Sequence, residues 1–214
     1  MFRFVIFDFD GTVVDTGEGI LKSLQYSFEQ MGREVPDMSD LKRFIGPPIH
    51  YSFTHYYGVS EEEVGEYIKK YRERYTVKGI YECELYEGIP ELIDALKKRG
   101  IKVGIASSKP LRLIYDVADY LGITESFDAI VGVRIDDSNH SSKTGLILEA
   151  MELMGADDKN EVLMVGDRLY DIEGAKGAGV KSCGALWGYG SQEEFRQYEA
   201  DFIVRQAKDV LDLA

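Results

Sequence analysis

Apolar positions recur along this chain with two different periods, and the switches between them divide it. The run Phe2-Arg3-Phe4-Val5-Ile6 is short, β-prone and almost uninterrupted, the pattern of a strand covered on both faces. Over residues 17–31 the spacing becomes close to helical, with Ile20, Leu21, Leu24, Tyr26 and Phe28. Pro36, Gly46, Pro47 and Pro48 then punctuate short segments. Ser60-Glu61-Glu62-Glu63 is a capping box, which predicts a helix running through Val64, Ile68, Tyr71 and Tyr75. Nothing in residues 17–82 alternates as a strand.

Beyond Leu85 strands and helices take turns. Gly88-Ile89-Pro90 opens a helix with proline in its first turn, and the basic end Lys97-Lys98-Arg99 stops at Gly100. Residues 101–106 read as the second strand, 111–121 as a helix, 127–133 as the third strand and 145–154 as a helix. Residues 162–165 read as the fourth strand, 171–178 as a short helix and 181–186 as the fifth strand. Ser191 with Glu194 predicts one more capped helix, then Phe202-Ile203-Val204 and a final amphipathic helix close the chain. Such alternation means parallel pairing, with functional loops at the strand C-termini. Far more chain separates the first two strands than one crossover helix needs. The expected fold is therefore α/β: a Rossmann-like parallel sheet core (residues 1–16 and 83–214) with an inserted α-helical cap domain (residues 17–82).

Composition narrows the classes. The 214 residues are 44% hydrophobic and 29% charged, ordinary for a globular protein with a core and a smaller domain. The net charge of −13 argues against nucleic acid as the main partner. It also obliges an anionic substrate to find local positive charge, from a metal or well-placed lysines. No apolar run approaches membrane-spanning length, and the N-terminus carries no signal-peptide pattern. Cys83 and Cys183 form no CxxC, so a reducing, cytoplasmic setting is expected. His50, His55 and His140 show no metal spacing.

The candidate chemistry sits at strand ends. Asp8 and Asp10 follow the first strand, and alternation would point both to one side. Paired carboxylates there fit a cation, acid/base work, or a plain Asp-Gly turn through Gly11, with Thr12 adding a hydroxyl. An EF-hand fits poorly, because its glycine comes five residues after the first Asp. The second strand ends in Ser107-Ser108-Lys109-Pro110, whose hydroxyls and backbone N–H groups suit a phosphate. Lys143, in Ser141-Ser142-Lys143-Thr144-Gly145, reads by type alone as a solvated charge. The fourth strand ends in Gly166-Asp167, with Asp171 one helical turn on. Gly174, Ala175, Gly177 and Ala178 predict a helix packed close on the sheet. Trp187-Gly188-Tyr189-Gly190 reads as a loop beyond the fifth strand, with the mouth of the site at the strand ends as its alternative place, and Tyr71, Tyr75 and Tyr81 as core of the helical domain. Four carboxylates, a serine and a lysine on one sheet edge need a cation, and all-oxygen ligands favour Mg²⁺.

Asp8-Phe9-Asp10-Gly11-Thr12, Ser107, Lys143 and Gly166-Asp167 with Asp171, in that order, resemble the motifs of the haloacid dehalogenase superfamily, in particular its phosphoglycolate phosphatase-like members. The resemblance implies a parallel sheet with the first strand central. It implies Asp8 as nucleophile, Asp10 as general acid/base, and Gly11, Thr12, Ser107, Ser108 and Lys143 around the phosphate. Mg²⁺ would be held by Asp8, the Asp10 carbonyl and Asp167, with Asp171 supporting. Asp10 argues against dehalogenase and phosphonatase-like members, and Thr12 is the phosphatase-like choice over the mutases. Thr144-Gly145 departs from the family's usual proline after the lysine. Lys42-Arg43-Phe44-Ile45-Gly46-Pro47-Pro48 resembles a substrate-reading cap segment, which points to Arg43, Gly46 and Pro47. The implied activity is Mg²⁺-dependent hydrolysis of a small phosphorylated metabolite through an aspartyl-phosphate, by a monomer or homodimer without nucleic acid or membrane partners. The rivals are a 5′-nucleotidase-like phosphatase, a phosphosugar mutase resembling β-phosphoglucomutase, and a receiver-like phospho-aspartate switch.

Overall fold

In the computed structural model, which describes residues 1–134 and 142–214, six runs of the chain form one parallel sheet. They are β1 (Phe4–Phe7), β2 (Lys102–Pro110), β3 (Ala129–Val133), β4 (Val162–Gly166), β5 (Lys181–Ala185) and β6 (Phe202–Val204). Their order is β3-β2-β1-β4-β5-β6, and every neighbouring pair is parallel. The order reverses at β1, so the C-terminal edge of β1 is the switch point where such sheets place their sites. His140 and Ser141 lie outside the described residues.

All four residues of β1 are buried, because helices cover both faces of the sheet. Phe4 and Ile6 join Val131, Val162 and Met164 under Leu146, Ile147 and Met151 of α6 and Ala175 and Ala178 of α7. Here α6 is Lys143–Met154 and α7 is Leu169–Ala178. Val5 and Phe7 alternate to the other side, where α4 (Ile89–Lys98) and α5 (Leu111–Leu121) pack on the sheet. Two expectations change. β2 runs on to Pro110, with a register shift between Ser107 and Pro110. The final helix is the 3-10 segment Ala207–Asp212, closed at its start by Gln206 and Asp209, too short for the amphipathic α-helix its pattern suggested.

The chain divides into two compact units, Met1–Asp15 with Leu85–Ala214, and Thr16–Glu84. The second unit is helical: α1 (Gly17–Gln30), α2 (Ile49–Tyr57) and α3 (Val64–Tyr75). Its core is aromatic, with Phe53 4.9 Å from Phe44, 5.2 Å from Tyr67 and 5.7 Å from Phe28, ring centre to ring centre. Tyr75 is buried and stacks on Tyr71, whereas Tyr81 is exposed, against the expectation for that residue. Among the described residues no helix is long and apolar enough to cross a membrane.

Two glycines test this packing in opposite directions. A Cβ on Gly184 of β5 would lie 2.5 Å from the Phe195 ring, so Gly184→Ala should cost about 1–3 kcal/mol in urea unfolding. Gly65 of α3 is exposed with open space around it, so Gly65→Ala should add about 1 kcal/mol.

Candidate active site

The site begins where β1 stops. Asp8 N–H donates to the Val165 carbonyl at 2.9 Å, locking the ends of β1 and β4 together. The chain then turns around the Phe9 carbonyl, which accepts from Val13 and Val14 N–H at 3.0 Å each. Asp10 therefore reaches its place through a turn, not through strand alternation. Gly11 has φ +81°, and a Cβ there would stand 2.3 Å from Asp167 Oδ2. A Cβ on Gly166 would likewise fall 2.1 Å from Asp171 Cγ, so both glycines leave room for carboxylates.

Asp8, Asp167 and Asp171 are buried and bring one oxygen each within 4.8 Å of one another. Lys143 sits between two of them, Nζ 2.8 Å from Asp8 Oδ1 and 2.7 Å from Asp171 Oδ1, its side chain only 8% exposed. It is thus no solvated charge. Ser142 caps α6 by accepting from Gly145 N–H at 3.1 Å, and Lys143 is the first helical residue. Its stem passes over Gly174, where a Cβ would meet Lys143 Cγ at 2.6 Å, and Thr144 Oγ1 donates to the Gly174 carbonyl at 3.3 Å. The small residues Gly174 and Gly177 therefore open α7 toward Lys143 and Thr144 of α6, and not toward the sheet as expected. The other Asp171 oxygen accepts from Arg168 N–H at 3.0 Å and closes the start of α7.

Three buried carboxylates face one ammonium, and the proton affinities record the imbalance. Burial first, then the charges of Asp171 and Asp8, push Asp167 well above the ordinary carboxylate range. Burial pushes Asp171 up to about 6 despite the Lys143 ammonium. Burial alone would lower Lys143, but Asp171 and Asp8 together outweigh it and hold it above the ordinary lysine value. A hard divalent cation fits this donor set: three convergent carboxylate oxygens, buried, with no nitrogen or sulfur ligand among them. Asp8, Asp167 and Asp171 are the residues that could hold it.

Other expected site residues are distributed unevenly. Asp10 pairs with Lys109, Nζ to Oδ1 at 2.9 Å. Ser107 is buried and its Oγ accepts from Lys109 N–H at 3.4 Å, while Ser108 is half-buried. Thr12 Oγ1 donates to Asp167 Oδ1 at 3.3 Å. Arg43, Gly46 and Pro47 belong to the second unit, where Arg43 is exposed 3.6 Å from Asp40. Among the histidines, His50 faces Glu61 at 3.0 Å and His55 stacks on Tyr51.

Two participants make contacts that the residue pattern did not assign. One is Lys109, flagged only as part of a serine-rich loop, although it stands two residues past Ser107 and so on the same side of an extended strand. The other is the loop after β5. Tyr189 N–H donates to Asp167 Oδ2 at 2.8 Å, its hydroxyl bonds Asp15, and Trp187 Nε1–H donates to the Thr12 carbonyl at 2.9 Å. Gly188 packs where a Cβ would be 2.3 Å from Asp167 Cβ. A Trp-Gly-Tyr-Gly run directly after a strand was the available signal, since two glycines there mark close backbone approach.

Residues 5–185 match the family model described as haloacid dehalogenase-like hydrolase. The 5′-nucleotidase of Pseudomonas aeruginosa is 37% identical over 195 residues, 91% of this chain and 87% of that protein. Pyrophosphatase PpaX of Halalkalibacterium halodurans is 33% identical over 209 residues, 98% of this chain and 95% of that protein. The crystal structure of a predicted phosphatase from Clostridium acetobutylicum superposes with a TM-score of 0.91 at 36% identity, covering 99% of both chains.

If the carboxylate cluster takes a divalent cation, stability should depend on pH and cation together. A carboxyl whose folded pKa is raised, as for Asp171, contributes stability below its unfolded value, and that contribution is lost as pH rises through about 6. Mg²⁺ bound to the ionised cluster should restore it. After chelation, adding Mg²⁺ should raise Tm by several degrees at pH 7.5, about 2–4 °C for each kcal/mol of binding. The rise should shrink at pH 5, where protons compete, and vanish in Asp167→Asn. No shift at either pH would remove the cation site.

Proposed function

This chain belongs to the haloacid dehalogenase-like hydrolase family, and on that premise we propose that it is a Mg²⁺-dependent phosphatase acting on a small phosphorylated metabolite through an aspartyl-phosphate. The observation that carries this reading is the set of three buried carboxylates at the sheet's switch point, sharing one space with the Lys143 ammonium.

In the proposed reaction an Asp8 carboxylate oxygen attacks phosphorus and the bond to the leaving oxygen breaks. Asp10 gives that oxygen a proton, then takes one from the water that cleaves the aspartyl-phosphate. Lys143, charged and 2.8 Å from Asp8, lies beside the attacking oxygen and can neutralise charge on the transferring group. Ser107 Oγ offers a donor for its oxygens, while the Gly11 and Thr12 N–H groups already donate to the Val14 and Phe9 carbonyls. Mg²⁺, held by Asp8, Asp167 and the Asp10 carbonyl with Asp171 supporting, would supply the remaining positive charge. The loop from Trp187 packs against Asp167, and its Tyr189 N–H fixes Asp167 Oδ2.

The leaving group is read here as small and polar. Phosphoglycolate is the ester the motif resemblance suggests; a nucleoside monophosphate is the second reading, favoured by the 37% identity to a 5′-nucleotidase. Selection among esters is assigned to Arg43, Gly46 and Pro47 on the resemblance of their segment, Arg43 offering an exposed cation for an anionic substrate. Both cysteines are thiols, which supports a cytoplasmic setting.

Phosphoenzyme analysis tests the reading. With para-nitrophenyl phosphate and Mg²⁺, Asp10→Asn should turn over about 10²–10⁴-fold more slowly and accumulate a phosphoryl adduct in acid-quenched intact mass spectra. Asp8→Asn should form none. Unchanged turnover in Asp10→Asn would remove its acid/base role. A long-lived adduct on the unmutated chain would favour the switch, and an isomerised phosphosugar product the mutase.

A further inference from the structure

Asp10 carries the proton in the proposed reaction, yet the strand does not aim it. β1 ends at Phe7, and the Asp10 backbone is fixed by a single-residue bridge to Val14 inside a turn. Its carboxylate is 16% exposed. A carboxylate on a turn samples several rotamers unless something holds it.

Lys109 does so. Its Nζ donates to Asp10 Oδ1 at 2.9 Å and to Oδ2 at 3.2 Å, and its side chain is 4% exposed. Lysine is seldom buried so completely without a partner, because an unpaired ammonium loses its hydration. The lysine is itself anchored. It lies on β2 within the register shift between Ser107 and Pro110, and its N–H donates to Ser107 Oγ at 3.4 Å. One short segment thus ties a proposed phosphate-binding hydroxyl to the proposed acid/base. Stability alone explains the pair poorly, since a buried ion pair is often no better than a well-packed apolar pair.

We propose that Lys109 is a positioning residue for Asp10: its ammonium spans both carboxyl oxygens and so fixes the orientation of the group that passes the proton to the leaving oxygen. This inference rests on the phosphatase reading. In the step concerned, an Asp8 oxygen bonds to phosphorus and the phosphorus–oxygen bond to the leaving group breaks. The electron pair of that bond takes the proton from Asp10. Lys109 keeps its own protons throughout.

A leaving-group series tests this on the full-length chain. kcat/KM reports the step in which the leaving oxygen departs, and a poor leaving group needs the proton more than para-nitrophenolate does. For Lys109→Met, the loss with an alkyl phosphate should exceed the loss with para-nitrophenyl phosphate by about 10–10²-fold, below the full worth of a general acid because Asp10 is misaimed and not removed. Lys109→Arg, which keeps a cation with two donors, should recover part of the alkyl-phosphate activity, and the Tm of each variant confirms that it is folded. An equal loss for every ester would overturn the inference and leave Lys109 a structural residue. A loss that follows the negative charge of the leaving group, and not its basicity, would also overturn it, making Lys109 a substrate ligand. If the unmutated chain with Mg²⁺ hydrolyses no ester in the series, the phosphatase reading falls and takes this inference with it.

Discussion

Crowding of negative charge at the end of β1 is the constraint on which the rest of the core unit depends. Asp8, Asp167 and Asp171 are buried within 4.8 Å of one another, and one ammonium faces them. Taking such charges out of water costs several kcal/mol per ion before any pairing. The neighbourhood is shaped to make that tolerable. Gly11 and Gly166 clear space for the carboxylates, Gly174 lets the Lys143 stem cross α7, and the backbone N–H groups of Phe9, Arg168 and Tyr189 each donate to one of the three acids. None of this is what stability by itself would select. It suits the proposed role of Asp8 as a nucleophile held beside a cation.

The fold positions the cluster at little cost in geometry. β1 and β4 are neighbours in register, Phe7 opposite Val165, so the first residues past each strand, Asp8 and Asp167, emerge side by side. Asp171 arrives one helical turn later, doubling as the acid that closes the start of α7. β2 flanks β1 on the other side and brings Lys109, whose N–H donates to Ser107 Oγ, to Asp10. The two sides of the central strand therefore supply two different pairs: Lys143 with the acids of the proposed cation site, and Lys109 with the proposed proton carrier.

Much of this was legible in the sequence, and the reasons for the rest are local. Asp8 and Asp167 each follow a short apolar run, a signal that survives without any structure. Lys143 did not announce itself by type; its place became readable through the order of motifs, because its burial depends on Gly174 thirty-one residues away in the chain. Lys109 was hidden beside two serines that looked more useful, and only its contact with Asp10 separates it from an ordinary loop lysine. The glycines of α7 signalled close packing but not against what: the partner is α6. The terminal 3-10 segment carried apolar spacing without enough length for an α-helix. In the second unit Glu82 is a half-buried partner of Arg74, which donates to it at 2.8 and 3.0 Å; no periodicity encodes a pair of that kind.

The central claim is that Asp8 itself becomes phosphorylated. An acyl phosphate is reduced by borohydride to an alcohol, so quenching a turning-over reaction with borohydride and mapping peptides locates it. The expected result is conversion of Asp8, and of no other carboxylate, in the presence of substrate and Mg²⁺, and none after chelation. Reduction at Asp10 or elsewhere, or substrate turnover with no reducible group at Asp8, would contradict the account.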